Sequence, residues 1–389
     1  MLVVGKPYIN IIGEKVRLSS IITEDSVEKE VWIEFDSIYE QYVCGDRIDS
    51  FVVALLKYAM LHKHNIVSES CIGSELYYQL KEYLIPNMVT GNKELSEIEI
   101  VAPIDFSRIV NEGAVGTGIS CGIDSLHAIA THSAEQINSY KVTHLTFNNV
   151  GSHGEGDRAE KLYEERKQRA ISYANEYGYS LILSDSNIHN VFEQVHYYTH
   201  TFTSMFPVLA LQKLYSIYLY ASSAKLSDFT LNSKTPGRYE YLILNSISTN
   251  DLKIYSQGAN CSRHKKTADI ADFEPSYKYL NVCTEENNNC SKCEKCLRTL
   301  FSLDYLGILN KYESVFDLKV FKENRKRGFR LMVYRAVIEN DTCYKELFSF
   351  FKEEIPLSLK IEMNIRRVLS SFVPDSIFKF FQKIKNARN

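Results

Sequence analysis

The chain has 389 residues, 45% of them hydrophobic and 24% charged, with a formal net charge of −3. This is the composition of a soluble globular protein with enough apolar material for two or three domains, and the net charge excludes a general attraction to nucleic acid. No apolar run approaches the roughly eighteen residues of a membrane span, and the first residues lack the order of a signal peptide. We therefore expect a cytoplasmic protein with no membrane partner.

In the first part of the chain, apolar residues first recur at every second position and then at helical spacing. The alternating segments predict the strands Tyr8–Ile12, Lys15–Ile22 and Val31–Phe35. Two helices should follow, one through Leu61 and one from Ser74 to Leu84 that Pro86 stops. Residues 1–112 are thus predicted to form an α+β accessory domain without a catalytic constellation.

From Gly113 onward, strands and helices alternate, which predicts a parallel sheet. The expected elements in chain order are a strand Val115–Ile119, a helix Leu126–Thr131, a strand Val142–Phe147, a helix Asp157–Tyr177, a strand Leu181–Leu183, a helix Phe206–Ala221 and a strand Phe229–Leu231. Ligands of such open sheets bind at the carboxyl ends of the strands. The turn after the first of these strands is therefore a candidate site.

That turn consists of Ser120, Cys121, Gly122, Ile123, Asp124 and Ser125. Small and hydroxyl residues at a strand-to-helix junction leave backbone N–H groups unpaired at the positive end of the helix dipole, which is a binding site for phosphate. Asp124 would then hold Mg²⁺. The segment lacks the lysine of the P-loop motif of kinases and GTPases, so that class is set aside.

The turn is similar to S-G-G-x-D-S, the pyrophosphate-binding loop of the PP-loop ATP pyrophosphatases, members of the adenine nucleotide alpha hydrolase-like superfamily. The resemblance implies a Rossmann-like α/β fold of the PP-loop/HUP type that splits ATP into AMP and pyrophosphate. Residues Ser120–Ser125 would hold the pyrophosphate. Cys121 stands where the family has glycine, so a left-handed backbone conformation there would cost energy.

A second segment, at the end of the next predicted strand, resembles T-F-D-Y-G-Q of the 7-cyano-7-deazaguanine synthases in that superfamily. It includes Thr146, Phe147 and Asn148, with Asn148 in place of the usual aspartate. The resemblance implies that this segment lies against the adenine and the α-phosphate of ATP. Backbone recognition of adenine would survive the substitution.

Four of the nine cysteines are crowded together, Cys283, Cys290, Cys293 and Cys296. Four thiolates in one loop complete a tetrahedral shell that suits a structural Zn²⁺, whereas iron–sulfur ligation uses similar spacing and stays open. The run Cys290–Arg298 also resembles the zinc-binding end of the synthase family. Earlier in the chain, Arg263 and Lys266 fall where the synthases carry a lysine segment, so both are predicted to balance charge at the α-phosphate.

These segments predict a PP-loop domain with its four-cysteine metal site over residues 113–309 and a basic helical segment over 310–389. The predicted function is adenylation of a carboxylate or carbonyl oxygen, followed by attack of an amine or ammonia. The resemblance allows a larger acceptor, such as a protein in antiviral defence. ATP and an acid substrate are the expected ligands, and an oligomer of unspecified size is expected.

Two alternatives stay open. A sulfur transferase acting on tRNA or a small molecule would use the same loop, with phosphate contacts from a basic tail comprising Arg325–Arg327, Arg366–Arg367 and Lys379–Arg388. A binding module without catalysis would keep the fold and use the metal site and the tail to bind a protein partner. Nucleic acid is the less favoured partner because of the acidic approach to the cysteine cluster.

Overall fold

The computed structural model describes residues 1–152, 154 and 156–372. The chain divides into two compact units, Met1–Cys261 and Ser262–Asn389. No helix in the described ranges is both long enough and apolar enough to cross a lipid bilayer. The boundaries predicted at residues 112 and 309 both fall inside these units.

The strands of the described residues all belong to the first unit. They are β1 (Leu2–Val4), β2 (Tyr8–Ile12), β3 (Lys15–Glu24), β4 (Val27–Asp36), β5 (Ile66–Val67), β6 (Ile72–Gly73), β7 (Ile100–Val101), β8 (Ile104–Asp105), β9 (Ala114–Gly118), β10 (His144–Asn149), β11 (Ser180–Ser186), β12 (Tyr215–Ala221) and β13 (Lys253–Gln257). All but β6 and β8 join one mixed sheet of 11 strands.

One half of this sheet is a parallel array in the order β13-β12-β9-β10-β11. The array begins at β9 and builds outward in one direction through β10 and β11, then returns to the other side of β9 with β12 and β13. This is the strand order of doubly wound nucleotide-binding folds, and the predicted α/β class with a Rossmann-like sheet is confirmed at that level. The order reverses between β9 and β12.

The other half of the sheet comes from the first 112 residues. Strand β4 pairs antiparallel with the end of β11, through Asp185 opposite Glu34 and Ser186 opposite Ile33. Strands β3 and β4 form a long hairpin that extends the sheet to β1, β5 and β7. Because the N-terminal strands continue the parallel array, the two regions share one hydrophobic core.

The helices of the first unit are α1 (Asp49–His62), α2 (Ser74–Gln79), α3 (Ile85–Gly91), α4 (Ile123–Ser133), α5 (Asp157–Tyr177), α6 (Ile188–Val191), α7 (His196–Ala210) and α8 (Glu240–Ile247). Helix α1 is buried along most of its length and packs on α7, where the rings of Phe51 and Phe206 meet edge to face at 5.1 Å. Helix α5 ends as predicted, with Gly178 in the left-handed conformation at φ 71°.

Three predictions for this unit were wrong. The helix expected over Phe206–Ala221 ends at Ala210, and Tyr215–Ala221 is the strand β12. Its aromatic and β-branched residues fit a buried parallel strand, whose apolar run has no period that separates it from a buried helix. The strand expected near Phe229–Leu231 is part of an irregular connection. Pro86 does not stop its helix: the helical run from Ser74 passes through a π-helical turn, Leu80–Leu84, directly before Pro86 and continues to Gly91.

The regular secondary structure of the second unit is helical in its described part, which ends at residue 372. Its helices are α9 (Arg263–Asp269), α10 (Pro275–Tyr279), α11 (Glu294–Tyr305), α12 (Leu318–Val337), α13 (Thr342–Phe350) and α14 (Leu357–Phe372). Helix α12 passes close to α11 at Gly328, where a Cβ would lie 2.4 Å from the ring of Phe301.

Arg325 of the predicted basic tail is half-buried against a cluster of phenylalanine rings in the second unit. Its guanidinium pairs with Asp304 and with Glu354, and it lies 5.2 to 5.8 Å from the centres of four phenylalanine rings. The charge that the tail was predicted to offer to phosphate is therefore neutralised at this position. The side chains of Arg366 and Arg367 and the segment Lys379–Arg388 lie outside the described residues.

Candidate functional site

The phosphate loop, Ser120–Ser125, lies at the carboxyl end of β9, where the strand order of the parallel array reverses. Strand β9 can sit between β10 and β12 because Gly116 has no side chain, and a Cβ there would lie 2.6 Å from the ring of Tyr215. Helix α4 begins within this segment, at Ile123, so Ser120–Gly122 form the turn and Ile123–Ser125 the first turn of the helix. In open α/β sheets, the reversal of strand order opens a crevice that binds ligands.

Inside the loop, two serine hydroxyls organise the backbone. Ser125 Oγ accepts from the N–H of Ser120 at 3.3 Å and lies 3.2 Å from Ser120 Oγ, which accepts from the N–H of Gly122 at 3.3 Å. The N–H groups of Cys121, Ile123 and Ser125 make no hydrogen bond to any group in the described part of the chain. The loop thus keeps donors at a helix N-terminus for an anion.

Cys121 adopts the left-handed conformation, with φ 57°. This is the conformation for which glycine is suited at the matching position of the PP-loop motif, and a side chain there costs of order 1 kcal/mol. The thiol is 2% exposed, and burial raises its pKa to about 12. Cys121 is therefore an inert packing residue at neutral pH.

The predicted adenine-side residues lie on β10, the neighbour of β9. Thr146 is buried, its carbonyl accepts from the N–H of Ile119 at 2.9 Å, and its hydroxyl lies 2.7 Å from the Tyr218 hydroxyl. Phe147 points to the other face and stacks on Tyr163 with ring centres 5.7 Å apart, so it is a core residue. Asn148 is partly exposed and accepts from the Ser184 hydroxyl at 2.8 Å. Of these residues, only Asn148 and the neighbouring backbone remain open to a ligand.

A second carboxylate, which was not predicted, lies at the carboxyl ends of β12 and β13. Glu240 opens helix α8, is 3% exposed, and accepts hydrogen bonds from Ser223 Oγ at 3.4 Å and Ser256 Oγ at 3.1 Å. Burial raises its pKa to about 7, and the charge of Asp124 adds to this rise. Burial, and to a smaller extent the charges of Glu240 and Asp124, raise the pKa of Tyr220 near the end of β12. The switch point, which is the carboxyl end of the sheet where the strand order reverses between β9 and β12, therefore combines amide and hydroxyl donors with two acidic side chains.

The residues between β12 and Glu240, Ser222–Tyr239, form the β12–α8 connection. His200 of α7 lies 3.3 Å from the Tyr220 hydroxyl through Nδ1 and 3.2 Å from Thr235 Oγ1 through Nε2. Burial lowers the pKa of His200 to about 3, so the ring is neutral and joins the network as one donor and one acceptor. The same signal that marked Ser120, small hydroxyl residues after a strand, also marks Ser222 and Ser223 once β12 is recognised as a strand.

In the second unit, the four predicted cysteines come together in the cysteine loop, Cys283–Cys296. All four sulfur atoms lie within 4.8 Å of one another, and the pairs Cys283–Cys293 and Cys290–Cys296 are each 3.9 Å apart. Four thiolates around one ion at the usual Zn–S length of about 2.3 Å are separated by about 3.8 Å. The cluster could therefore hold a single tetrahedral metal ion such as zinc.

The local backbone supports thiolate formation in this loop. The N–H of Glu286 points to Cys283 Sγ and the N–H of Cys293 to Cys290 Sγ, both at 3.3 Å. Asn289 fixes the loop by donating to the carbonyls of Leu280 and Val315 and by accepting from the N–H of Val282. An iron–sulfur cluster places several irons between its thiolates and needs them farther apart, so this spacing favours one ion.

Arg263 and Lys266 lie on α9 of the second unit, which begins after the cap residue Ser262. Arg263 is partly exposed, whereas Lys266 is only 2% exposed. Their assignment to the α-phosphate stays a prediction.

The chain was also compared with protein-family models, with curated protein sequences and with solved structures, and none of them matches it.

Proposed function

We propose that this protein is an ATP-dependent enzyme of the PP-loop type that adenylates a carboxylate or carbonyl oxygen and releases pyrophosphate. The observation that carries the proposal is the position of the phosphate loop at the point where a doubly wound strand order reverses. The loop's serine hydroxyls and backbone N–H groups are suited to the β- and γ-phosphates. Its resemblance to S-G-G-x-D-S agrees with this geometry.

In the proposed reaction, an oxygen of the acid attacks the α-phosphorus and the bond from that phosphorus to the bridging oxygen of pyrophosphate breaks. The N–H groups of Ile123 and Ser125 stabilise the negative charge that the leaving pyrophosphate gains. An amine or ammonia then attacks the adenylated carbonyl, AMP leaves, and the surplus proton of the amine passes to water. The resemblance to 7-cyano-7-deazaguanine synthases suggests a 7-deazaguanine-type acid, and a protein acceptor is a second form of the same chemistry.

Asp124 would hold Mg²⁺, because it is the carboxylate of the loop, in the first turn of α4, and magnesium prefers carboxylate oxygens. The bound ion would neutralise charge on the phosphates. In the second unit, we assign zinc to the cysteine loop as a structural ion, because four sulfur ligands leave no open coordination position.

The sulfur-transferase alternative has less support. A sulfur transferase that carries the persulfide on its own loop needs a reactive thiol there, and Cys121 is buried with a raised pKa. Arg325 of its basic tail is held by two carboxylates inside the second unit. The non-catalytic alternative rested on Cys121, and the backbone accommodates this residue within the loop.

The test is release of AMP and pyrophosphate from ATP by the full chain, measured with a panel of carboxylic acids that includes a 7-deazaguanine-type acid. The variant Asp124→Ala should lower the rate by about a hundredfold or more, since it removes charge stabilisation at the leaving group. Asp157→Ala is the matched control, because Asp157 opens helix α5 on the same unit.

Equal AMP release by the wild type and Asp124→Ala across the panel would contradict the proposal and favour the binding module. Release of AMP only in the presence of a persulfide donor and tRNA would favour the sulfur transferase instead.

A further inference from the structure

Lys57 is a buried cation of the N-terminal region that no step of the proposed chemistry uses. It lies on helix α1 and is 2% exposed. Its Nζ donates to the carbonyl oxygen of Lys234 at 2.7 Å and lies 5.6 Å from the centre of the Tyr239 ring. Its hydrogen-bond acceptor is a backbone carbonyl rather than a carboxylate. A buried ammonium whose acceptor is a neutral carbonyl disfavours the folded state.

Both contacts of Lys57 fall on the β12–α8 connection, which leads into Glu240. Other residues of the N-terminal region reach the same connection. Asn92 donates through Nδ2 to the carbonyl of Ser233 at 3.4 Å, and a Cβ on Gly91 would lie 2.1 Å from Leu231. From the opposite side, His200 lies within hydrogen-bond distance of Thr235. The connection has hydrogen bonds of its own, such as that from the N–H of Thr230 to the carbonyl of Arg238 at 3.2 Å, and these contacts from distant parts of the chain anchor it to the rest of the unit.

We propose that Lys57 is a positioning residue that fixes the β12–α8 connection and, through it, the placement of Glu240 at the switch point. This assigns the N-terminal region a function, which is to hold one wall of the candidate site. The consequence for ATP cleavage rests on the proposed function, whereas the effect on the connection does not.

If Lys57 only stabilised the fold, removing its charge would lower the free energy of unfolding. The positioning role predicts the opposite. Desolvation lowers the pKa of Lys57 to about 8, which means that its charge disfavours the folded state at neutral pH. Lys234 is itself exposed, so its carbonyl can turn to water when its partner is lost. Replacing Lys57 by methionine keeps the shape of the side chain and removes the charge. The fold should therefore be as stable as before or more stable, while the connection loosens.

The experiment compares the wild type, Lys57→Met and Lys213→Met as full chains. Lys213 is a control because it is paired with Asp46 near the surface of the same unit, at 3.0 Å. Amide hydrogen exchange over residues 229–239 should become about tenfold faster in Lys57→Met, the effect of one lost hydrogen bond, and stay unchanged in Lys213→Met. The midpoint of thermal unfolding at pH 7 should not fall.

Unchanged exchange over residues 229–239, or a fall in the unfolding midpoint with faster exchange throughout the unit, would overturn the proposal. Asn92→Asp, which removes the donor to Ser233, is the second variant if Lys57→Met does not fold, and it should speed exchange in the same residues.

If the wild type forms AMP, Lys57→Met should lower kcat with little change in KM for ATP, because the phosphate loop itself is untouched. If the wild type forms no AMP with any acid, the proposed function fails, and the exchange data still decide the role of Lys57.

Discussion

The phosphate loop and the cysteine loop assemble their candidate ligands by different means. The cysteine loop takes all four sulfur ligands from one short segment, and its geometry follows from that segment's own hydrogen bonds. The site around the phosphate loop takes Asp124 from α4 and Glu240 from α8, and it depends on strand order and on contacts from α1 and α7. A metal site can thus be local, whereas a nucleotide site on an open sheet requires the whole fold.

The largest effect should come from breaking the local site. Cys296→Ala removes a sulfur ligand that is 0% exposed, and structural zinc contributes about 10 kcal/mol or more to folding. We expect loss of bound zinc and of cooperative unfolding of the second unit, measured by metal analysis and hydrogen exchange. Cys343→Ala, on α13 of the same unit, should keep one zinc per chain. Full retention of zinc and protection in Cys296→Ala would contradict the assignment.

The next effect concerns Glu240 and the pH dependence of stability. Its pKa rises from 4.5 to about 7 on folding, so the folded state binds the extra proton and stability falls as pH increases from about 4.5 to about 7. The free energy of unfolding of Glu240→Gln should not fall in this way. The variant's stability relative to the wild type should therefore be about 2–3 kcal/mol greater at pH 8 than at pH 5. Urea unfolding at both pH values measures the difference. If the free energies of unfolding of the two proteins changed with pH in the same way, the claim that burial raises the pKa of Glu240 would be wrong.

A smaller effect is expected at the left-handed residue of the phosphate loop. Cys121→Val places a β-branched side chain at φ 57° and should destabilise the first unit by about 2 kcal/mol. Cys121→Gly relieves the strain and loses the buried thiol, so it should stay within about 1 kcal/mol of wild type. Chemical denaturation of both variants gives the comparison. Equal stability of the valine and glycine variants would show that the conformation is not imposed by the fold.

The smallest effect is expected for Tyr215 and Tyr218, two tyrosines of β12 whose ring centres lie 5.7 Å apart. Tyr218→Phe removes a hydroxyl that lies 2.7 Å from Thr146 Oγ1 and should cost about 1 kcal/mol. The hydroxyl of Tyr215 is buried without a hydrogen-bond partner among the described residues. Tyr215→Phe should therefore be neutral or stabilising. A greater loss of stability from Tyr215→Phe than from Tyr218→Phe would reverse this order.

The sequence allowed prediction of features that depend on neighbouring residues. The strand-loop-helix unit around Ser120–Ser125 was found from its period and its small residues, and the cysteine loop from its spacing. Strand β12 was missed because only Gln212 and Lys213 interrupt the apolar residues between α7 and Tyr215–Ala221, and no glycine or proline separates the two elements. Glu240 was then missed as well, since its partners Ser223 and Ser256 are 17 and 16 residues away. The contact between Lys57 and Lys234 spans 177 residues, and no local pattern encodes it.

The central claim is that the phosphate loop binds the pyrophosphate part of ATP, and equilibrium binding of MgATP to the full chain tests it most directly. We predict one MgATP per chain, displaced competitively by pyrophosphate and strongly weakened in Asp124→Ala but not in Asp157→Ala. Absence of MgATP binding at millimolar concentration, or equal affinity of the wild type and Asp124→Ala, would contradict the account.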